Sequence, residues 1–309
     1  MASFSITLSN VALYLLYLFP GFLLYKCRKV RAEHLGTVSA VLLYICGPCM
    51  FLNALTGLQP SPELTKNMFL FLLVSLLAEL LMLLVLYALA GKRRGEFRCR
   101  MLAIAGISGN TGFFGLPIIS ALFPGVPEAA VYSCMFTVSL NILAWTVGVF
   151  TLTGEKKYIS FRAAFLNPTV VSVAAGFILY LVRAGEWLPS LVKDGIRTVG
   201  GMSTPLCLFI LGIRLAAMDL RKLFTQPFVY LIVAIKLLAF PLFCWGLVYF
   251  LPLPHVFRAS MLIIGATPCA SVILNLAEMH NKGQSLAANC ALLSTLLSVV
   301  TIPLLSLLL

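Results

Sequence analysis

Ten stretches of apolar residues, bounded by charged or by proline- and glycine-rich segments, run the length of this chain. They cover residues 6–25, 35–55, 67–90, 101–122, 129–152, 168–183, 196–216, 227–251, 257–278 and 285–308. Most approach the roughly 20 residues that a helix needs to cross a bilayer. Little is left over for a soluble domain. The composition agrees: 61% of the residues are hydrophobic and only 10% are charged, where soluble domains are about half apolar and a quarter charged. So uncharged a surface has to be covered by lipid, so the bilayer is the first partner. The expected fold class is all-α and integral to the membrane, with ten transmembrane helices.

The formal charge of +12 would suggest nucleic acid in a soluble protein. Here the basic residues set orientation instead, and no basic run is interleaved with stacking aromatics, so no nucleic-acid partner is expected. Lys26, Arg28, Lys29 and Arg31 follow the first stretch, and Lys92, Arg93, Arg94, Arg98 and Arg100 follow the third. Lys156, Lys157 and Arg162 follow the fifth, Arg214, Arg221 and Lys222 the seventh, and Lys282 the ninth. The alternate connections hold only Lys66, Arg183, Lys193, Arg197 and Arg258. Odd-numbered connections are therefore expected in the cytoplasm, with both termini on the extracytoplasmic side of the cell (plasma or inner) membrane. The first stretch lacks a basic lead-in and a small-residue cleavage site, so it reads as a retained span.

The two halves of the chain resemble each other. FRCRMLAI at 97–104 matches FRASMLII at 257–264, and GPCMFLNAL at 47–55 matches TPLCLFILG at 204–212, with Pro48 falling on Pro205. At the same spacing Glu79 falls on Lys236. Each half holds five stretches, and an odd number turns the second half upside down. The organisation expected is a first repeat over 1–152, a cytoplasmic linker over 153–167 and an inverted second repeat over 168–309. Inverted repeats of this kind place a ligand site near the midplane, at interrupted helices.

The fourth stretch carries Gly106, Gly109, Gly112 and Gly115 at every third residue, with Asn110 and Thr111 among them and Pro117 following. Glycine costs a helix interior about 1 kcal/mol against alanine, and proline about 3 kcal/mol. Irregular backbone at membrane depth persists only when buried in protein or lining water. An unwound segment is expected around 109–115. In the ninth stretch, Thr267-Pro268 reads as an N-cap and first helical residue of a second half-helix. Its free N–H groups and positive dipole end suit an anion. Thr267, Ser271 and Asn275 then share one helix face. Close helix packing is the alternative use of such small residues.

At these residues the chain resembles the auxin efflux carrier family, which includes bacterial organic-acid permeases and the plant PIN-formed auxin exporters. GNTGFFGLP at 109–117, GGMSTPLCLFILGIRLA at 200–216 and GATPCAS at 265–271 are similar to its fourth-, seventh- and ninth-helix signatures. The resemblance extends over essentially the whole chain. It implies a fold like that of sodium/proton antiporters and bile-acid symporters. Spans one, two, six and seven would form a scaffold, and the others a transport domain with two crossing broken helices. It implies that Asn110, Pro117 and Pro268 build the substrate site, that substrates are small organic anions such as mono- and dicarboxylates, and that a homodimer forms. Gly109, Thr111, Gly112, Thr267, Ser271 and Asn275 join the candidate site, and Pro48 and Pro205 are the expected scaffold helix breaks. Proton or sodium coupling is open, as are a sodium-coupled bile-acid-symporter-like carrier and a sensor that binds an organic anion without turnover.

Glu79 lies mid-span, where a carboxylate is expensive and points to function. It is a candidate for a coupling proton, or half of a structural pair with Lys236, whose long stem could snorkel to the interface. Cys46-Gly47-Pro48-Cys49 has thioredoxin-like spacing, but it lies within a span and not at an exposed helix start, so all nine cysteines are expected as free thiols. Asn53, Asn141 and Asn289 read as helix-to-helix hydrogen bonders. His34, His255 and His280 lie in separate loops, and no metal motif or catalytic constellation is present. No cofactor, no metal and no enzyme activity are expected.

Overall fold

The computed structural model describes residues 2–218 and 225–309. Arg221 and Lys222 lie outside the described residues. The fold is built from helices, with no strand among the described residues. In order they are α1 (Ala2–Lys26), α2 (Leu35–Thr56), α3 (Pro62–Ala90), α4 (Phe97–Ile107), α5 (Thr111–Leu122) and α6 (Glu128–Thr153), then α7 (Pro168–Leu181), α8 (Ser190–Ala217), α9 (Pro227–Tyr249), α10 (His255–Gly265), α11 (Ser271–Met279) and α12 (Gln284–Leu305). Seven of them, α1, α2, α3, α6, α8, α9 and α12, are long and apolar enough to cross a membrane. The fourth and ninth apolar stretches are each two half-helices. The sixth is a 14-residue helix, about 21 Å at 1.5 Å per residue.

Local sequence explains where the helices start. Ser61 precedes Pro62, and its Oγ accepts from Leu64 N at 3.1 Å. Asn167 does the same for Val170 N at 3.0 Å, ahead of Pro168. Each is a capping residue followed by a proline whose missing N–H no helix bond needs.

Two bodies pack differently. In the first, α1, α2, α7 and α8 meet through glycines. A Cβ on Gly21 of α1 would strike Phe209 O of α8, and one on Gly212 of α8 would strike Leu18 O of α1. Gly176 of α7 sits against Leu55 of α2, and Gly200 of α8 against the backbone of Cys49 and Met50. Backbones approach this closely only where no side chain intervenes. The second body is held by rings: Phe71 of α3 stacks on Tyr132 of α6 at 4.7 Å and meets Phe257 of α10 edge-on at 4.7 Å.

Several prolines of these helices follow a widened turn. A π turn at Leu42–Cys46 precedes Pro48, one at Thr111–Gly115 precedes Pro117, and one at Ile235–Ala239 precedes Pro241. The wider turn makes room for a ring that would otherwise clash with the carbonyl four residues back. Pro48 is therefore no helix break, contrary to the sequence expectation. Near Pro205 the helix is interrupted: α8 is made of two segments, Ser190–Gly201 and Ser203–Ala217, that part at Met202, and Pro205 sits in the first turn of the second.

The connections gather at two ends. After α11, Lys282 donates to Thr153 O at the end of α6 at 2.9 Å and pairs with Glu155 at 3.5 Å. Lys157 also pairs with Glu155, at 2.6 Å, and these two lysines hold the Glu155 carboxyl below the usual carboxylate range, Lys157 most strongly. At the opposite end Tyr180 OH accepts from Ser61 N at 3.0 Å, and Phe123 meets His255 edge-on at 5.9 Å. The first, basic end thus brings together the chain after Thr153 and the chain after Met279, and the second brings Ser61 to Tyr180 and Phe123 to His255.

Candidate binding site at the helix crossing

The chain leaves helical geometry at Ser108–Asn110, between α4 and α5, and again at 266–270, between α10 and α11. The two breaks cross as an antiparallel bridge between Gly109 and Cys269. Asn110 N donates to Pro268 O at 2.7 Å, and Ala270 N donates to Ser108 O at 3.0 Å. Each break thus satisfies backbone groups that the other exposes, as membrane depth demands. Gly109 is required by this approach: a Cβ there would lie 2.5 Å from Thr267 Oγ1 and 3.1 Å from Lys236 Nζ. The unwound part is shorter than expected, because Thr111–Gly115 is a π turn opening α5 and not irregular chain.

A cavity of ≈ 830 Å³ opens from the crossing toward the basic end. Gly109 and Asn110 line it from the first break, Thr111, Gly112 and Phe113 from α5, and Ser271, Val272 and Asn275 from α11. The first-turn N–H groups of a helix have no intrahelical acceptor. The first turns of both half-helices, at Thr111 and at Ser271, line this one cavity. Asn110 is 7% exposed, and its Nδ2 donates to Cys207 Sγ of α8 at 3.7 Å. Thr111 is held behind it, its Oγ1 sharing a hydrogen bond with Thr137 Oγ1 at 2.8 Å.

Three expected site residues lie elsewhere. Thr267 is fully buried, and its Oγ1 donates to Ile264 O at 2.7 Å. Instead of capping α11 it closes α10, because the second half-helix starts only at Ser271, with Ala270 at the cap position. Pro268 accordingly is not a first helical residue. Its carbonyl serves Asn110 N, and it does not line the cavity. Pro117 lies past the π turn and lines a different cavity, of ≈ 510 Å³, together with Asn10, Asn53, Arg197 and Pro205 at the opposite end. The face expected of Thr267, Ser271 and Asn275 is therefore Ser271 and Asn275 alone. One layer separates the two cavities. Thr204 lines the second cavity and donates to Phe113 O at 2.7 Å, while Phe113 lines the first.

A family model described as membrane transport protein matches residues 6–306. The chain belongs to this membrane transport protein family. It is the auxin-efflux-carrier-like family whose signatures the sequence carries. An uncharacterized transporter of Methanothermobacter thermautotrophicus is 26% identical over 98% of this chain and 97% of its own length. An uncharacterized transporter of Methanocaldococcus jannaschii is 21% identical over 89% of this chain and 90% of its own length. The family is one of transporters and not enzymes, and the chain is a multi-pass membrane protein.

The transporter's two mid-span charges do not pair. Glu79, on α3, is fully buried, and among the described residues neither carboxyl oxygen has a hydrogen-bond partner. Ser139 of α6 stands beside it, but that hydroxyl donates to Phe136 O at 2.9 Å. Lys236 does not snorkel. It is fully buried in the π turn of α9, its Nζ donates to Gly265 O at 2.5 Å, and it lies 4.7 Å over the Phe240 ring. Gly265 ends α10, so the amine sits where carbonyls without helix partners make the dipole negative. Ser294 Oγ of α12 accepts from Cys269 N at 2.9 Å. The second break is thus closed by side chains from α9 and α12.

Sequence reasoning missed Phe51, Trp145, Asn167, Arg214 and Glu278 among the cavity's walls. Asn141 lines it too, and its Nδ2 donates to Thr137 O of its own helix at 2.8 Å, not to another helix. Asn289 donates to Gln226 Oε1 at 3.3 Å, and Asn53 faces the opposite cavity. All nine cysteines are free. Among the described residues no three His, Cys, Asp or Glu side chains gather as a metal site would require.

Proposed function

We propose that this transporter is a secondary carrier for a small organic anion, a mono- or dicarboxylate, working by alternating access. The observation that carries the reading is that the first turns of two half-helices and Asn110 line one cavity. Unpaired N–H groups, two positive dipole ends and an amide donor suit a carboxylate. Asn110 Nδ2 exchanges its weak thiol acceptor, Cys207, for a carboxylate oxygen. Ser271 and Asn275 line the way toward the basic end. Pro117 belongs to the opposite vestibule, and Thr267 and Pro268 keep the crossing in shape.

The chain crosses the membrane ten times, as inverted repeats over 1–152 and 168–309 joined by the linker 153–167. The alternation of basic and non-basic connections along the chain supports this count. So do the half-helices and the pairing of α1 with α8 and of α2 with α7. The basic end is cytoplasmic, both termini are extracytoplasmic, and the cavity is open inward. Thr204, Phe113 and Phe51 form the closed layer. The ring-packed body slides against the glycine-packed one to move Asn110 from one vestibule to the other. Glu79 and Lys236 are the coupling candidates. Lys236 fills the carbonyl end that a coupling sodium would use, which favours proton or voltage coupling.

The test is flux through purified protein in liposomes, with acetate, malonate, malate and indole-3-acetate as substrates and with proton, sodium and voltage gradients varied separately. Saturable flux that disappears in Asn110→Ala is the expected result. Calorimetric binding without flux under any gradient would overturn the carrier reading in favour of a sensor.

A further inference from the structure

Among the described residues, Arg214 and Glu278 are the only charged side chains on the walls of the inward cavity. They face each other across its mouth from different bodies, Arg214 near the C-terminal end of α8 and Glu278 in the last turn of α11. Arg214 Nη1 donates to Glu278 Oε1 at 2.6 Å. Their exposure differs: the Arg214 side chain is 19% accessible and that of Glu278 44%. A guanidinium held mostly out of water is weakly screened and needs an anionic partner. A half-solvated carboxylate can be replaced and return to water at little cost.

The neighbouring groups lead to this pair. Ser271, Asn275 and Glu278 recur at i, i+4 and i+7, so they share one face of α11. That face runs from the crossing to the mouth, about 10 Å at 1.5 Å per residue. A carboxylate travelling between Asn110 and the basic end passes Arg214.

We infer that Arg214 is the carboxylate receptor at the inner mouth, and that Glu278 is the partner an arriving anion displaces. This deepens the organic-anion reading and rests on it. The planar guanidinium matches a carboxylate geometrically as well as electrically. While the cavity is empty, the pair cancels both charges and ties α11 to α8. When an anion takes over Arg214, Glu278 is released and that tie opens. Loading from this side and freeing the ring-packed body are then one event.

The test uses full-length protein in liposomes of defined orientation, with malonate as substrate and KM measured separately at each face. Arg214→Gln is expected to raise KM at the basic face by about tenfold, the scale of one charge-assisted hydrogen bond. Arg214→Lys is expected to recover part of the loss, because it keeps the charge but not the fork. Glu278→Gln is expected to lower KM at the same face several-fold, because it removes the competitor. KM at the other face stays within twofold in each case. A purely structural ion pair shifts both variants in the same direction, so parallel shifts, or none, would overturn the inference. Monodisperse elution and an unchanged KM at the other face exclude misfolding as the cause. If the wild type carries no saturable flux, the organic-anion reading falls and this one with it. If its flux is lost in Asn110→Ala while the charge variants shift alike, only this inference falls.

Discussion

At the first break, Ser108–Asn110, the chain turns Gly109 and Asn110 toward a cavity; at the second, 266–270, only Ala270 reaches that cavity and the rest turns into protein. Asn110 and Gly112 line an 830 Å³ space, whereas Thr267 and Lys236 at the second break are fully buried. The two breaks occupy matching positions of the two halves, yet their neighbours differ. Lys236 and Ser294 reach into the second break and serve Gly265 O and Cys269 N. At the first, Asn110 has only a thiol on the neighbouring α8. An interruption is present at both places, and the side chains around each decide which becomes wet. A pseudo-equivalent residue is not a functionally equivalent one.

That contrast can be broken in order of expected effect. Gly109 belongs to both breaks, so Gly109→Val should be the most damaging change. Its side chain meets Thr267 and Lys236, an overpacking cost of about 1–3 kcal/mol, with transport abolished. Thermal unfolding in detergent and liposome flux measure the two effects. Lys236→Met removes the donor to Gly265 O while keeping the volume. An orphaned buried carbonyl costs about 1–3 kcal/mol, so the melting temperature should fall by several degrees. An unchanged melting temperature would make Lys236 a coupling group and not a brace. Ser294→Ala acts on one backbone N–H of the second break, with an expected cost of about 1 kcal/mol and an unaltered substrate KM. The smallest effect belongs to the basic end, where Glu155 joins connections from both halves. Lys157 and Lys282 favour its ionised form and lower its pKa, so its stabilisation is present at neutral pH and lost as pH falls through the depressed range. Glu155→Gln should slightly lower the melting temperature at pH 7, and the difference from wild type should shrink as pH falls below the usual carboxylate range.

Much of this was legible in the chain. The apolar stretches, the alternation of basic connections and the glycines of 106–115 point to an all-helical membrane protein interrupted where Gly109 and Asn110 lie. The resemblance carried by GNTGFFGLP extends that to the family. The positions of Pro117, Thr267 and Pro268 were not legible. A proline signals that helix geometry must yield, but a π turn can absorb it before the ring, as it does ahead of Pro48 and Pro117. Thr267-Pro268 has the composition of a helix start, yet the pairing with Ser108 and Asn110 holds 268–270 extended and delays α11 to Ser271. Arg214 was read only as one of the charges that set orientation. Nothing local distinguishes a basic residue at a helix end from one facing a cavity across from α11.

The most direct test compares Asn110→Ala with Thr267→Val for substrate flux and thermal stability in the same preparations. Asn110→Ala should lose at least about tenfold in flux, the worth of a hydrogen bond to a charged group, with its melting temperature within about 2 °C of wild type. Thr267→Val should show the reverse: a lowered melting temperature and an unchanged KM. If Thr267→Val shifts KM as strongly as Asn110→Ala, or if Asn110→Ala only destabilises, the two breaks are not divided between binding and bracing, and the placement of the site at Asn110 is wrong.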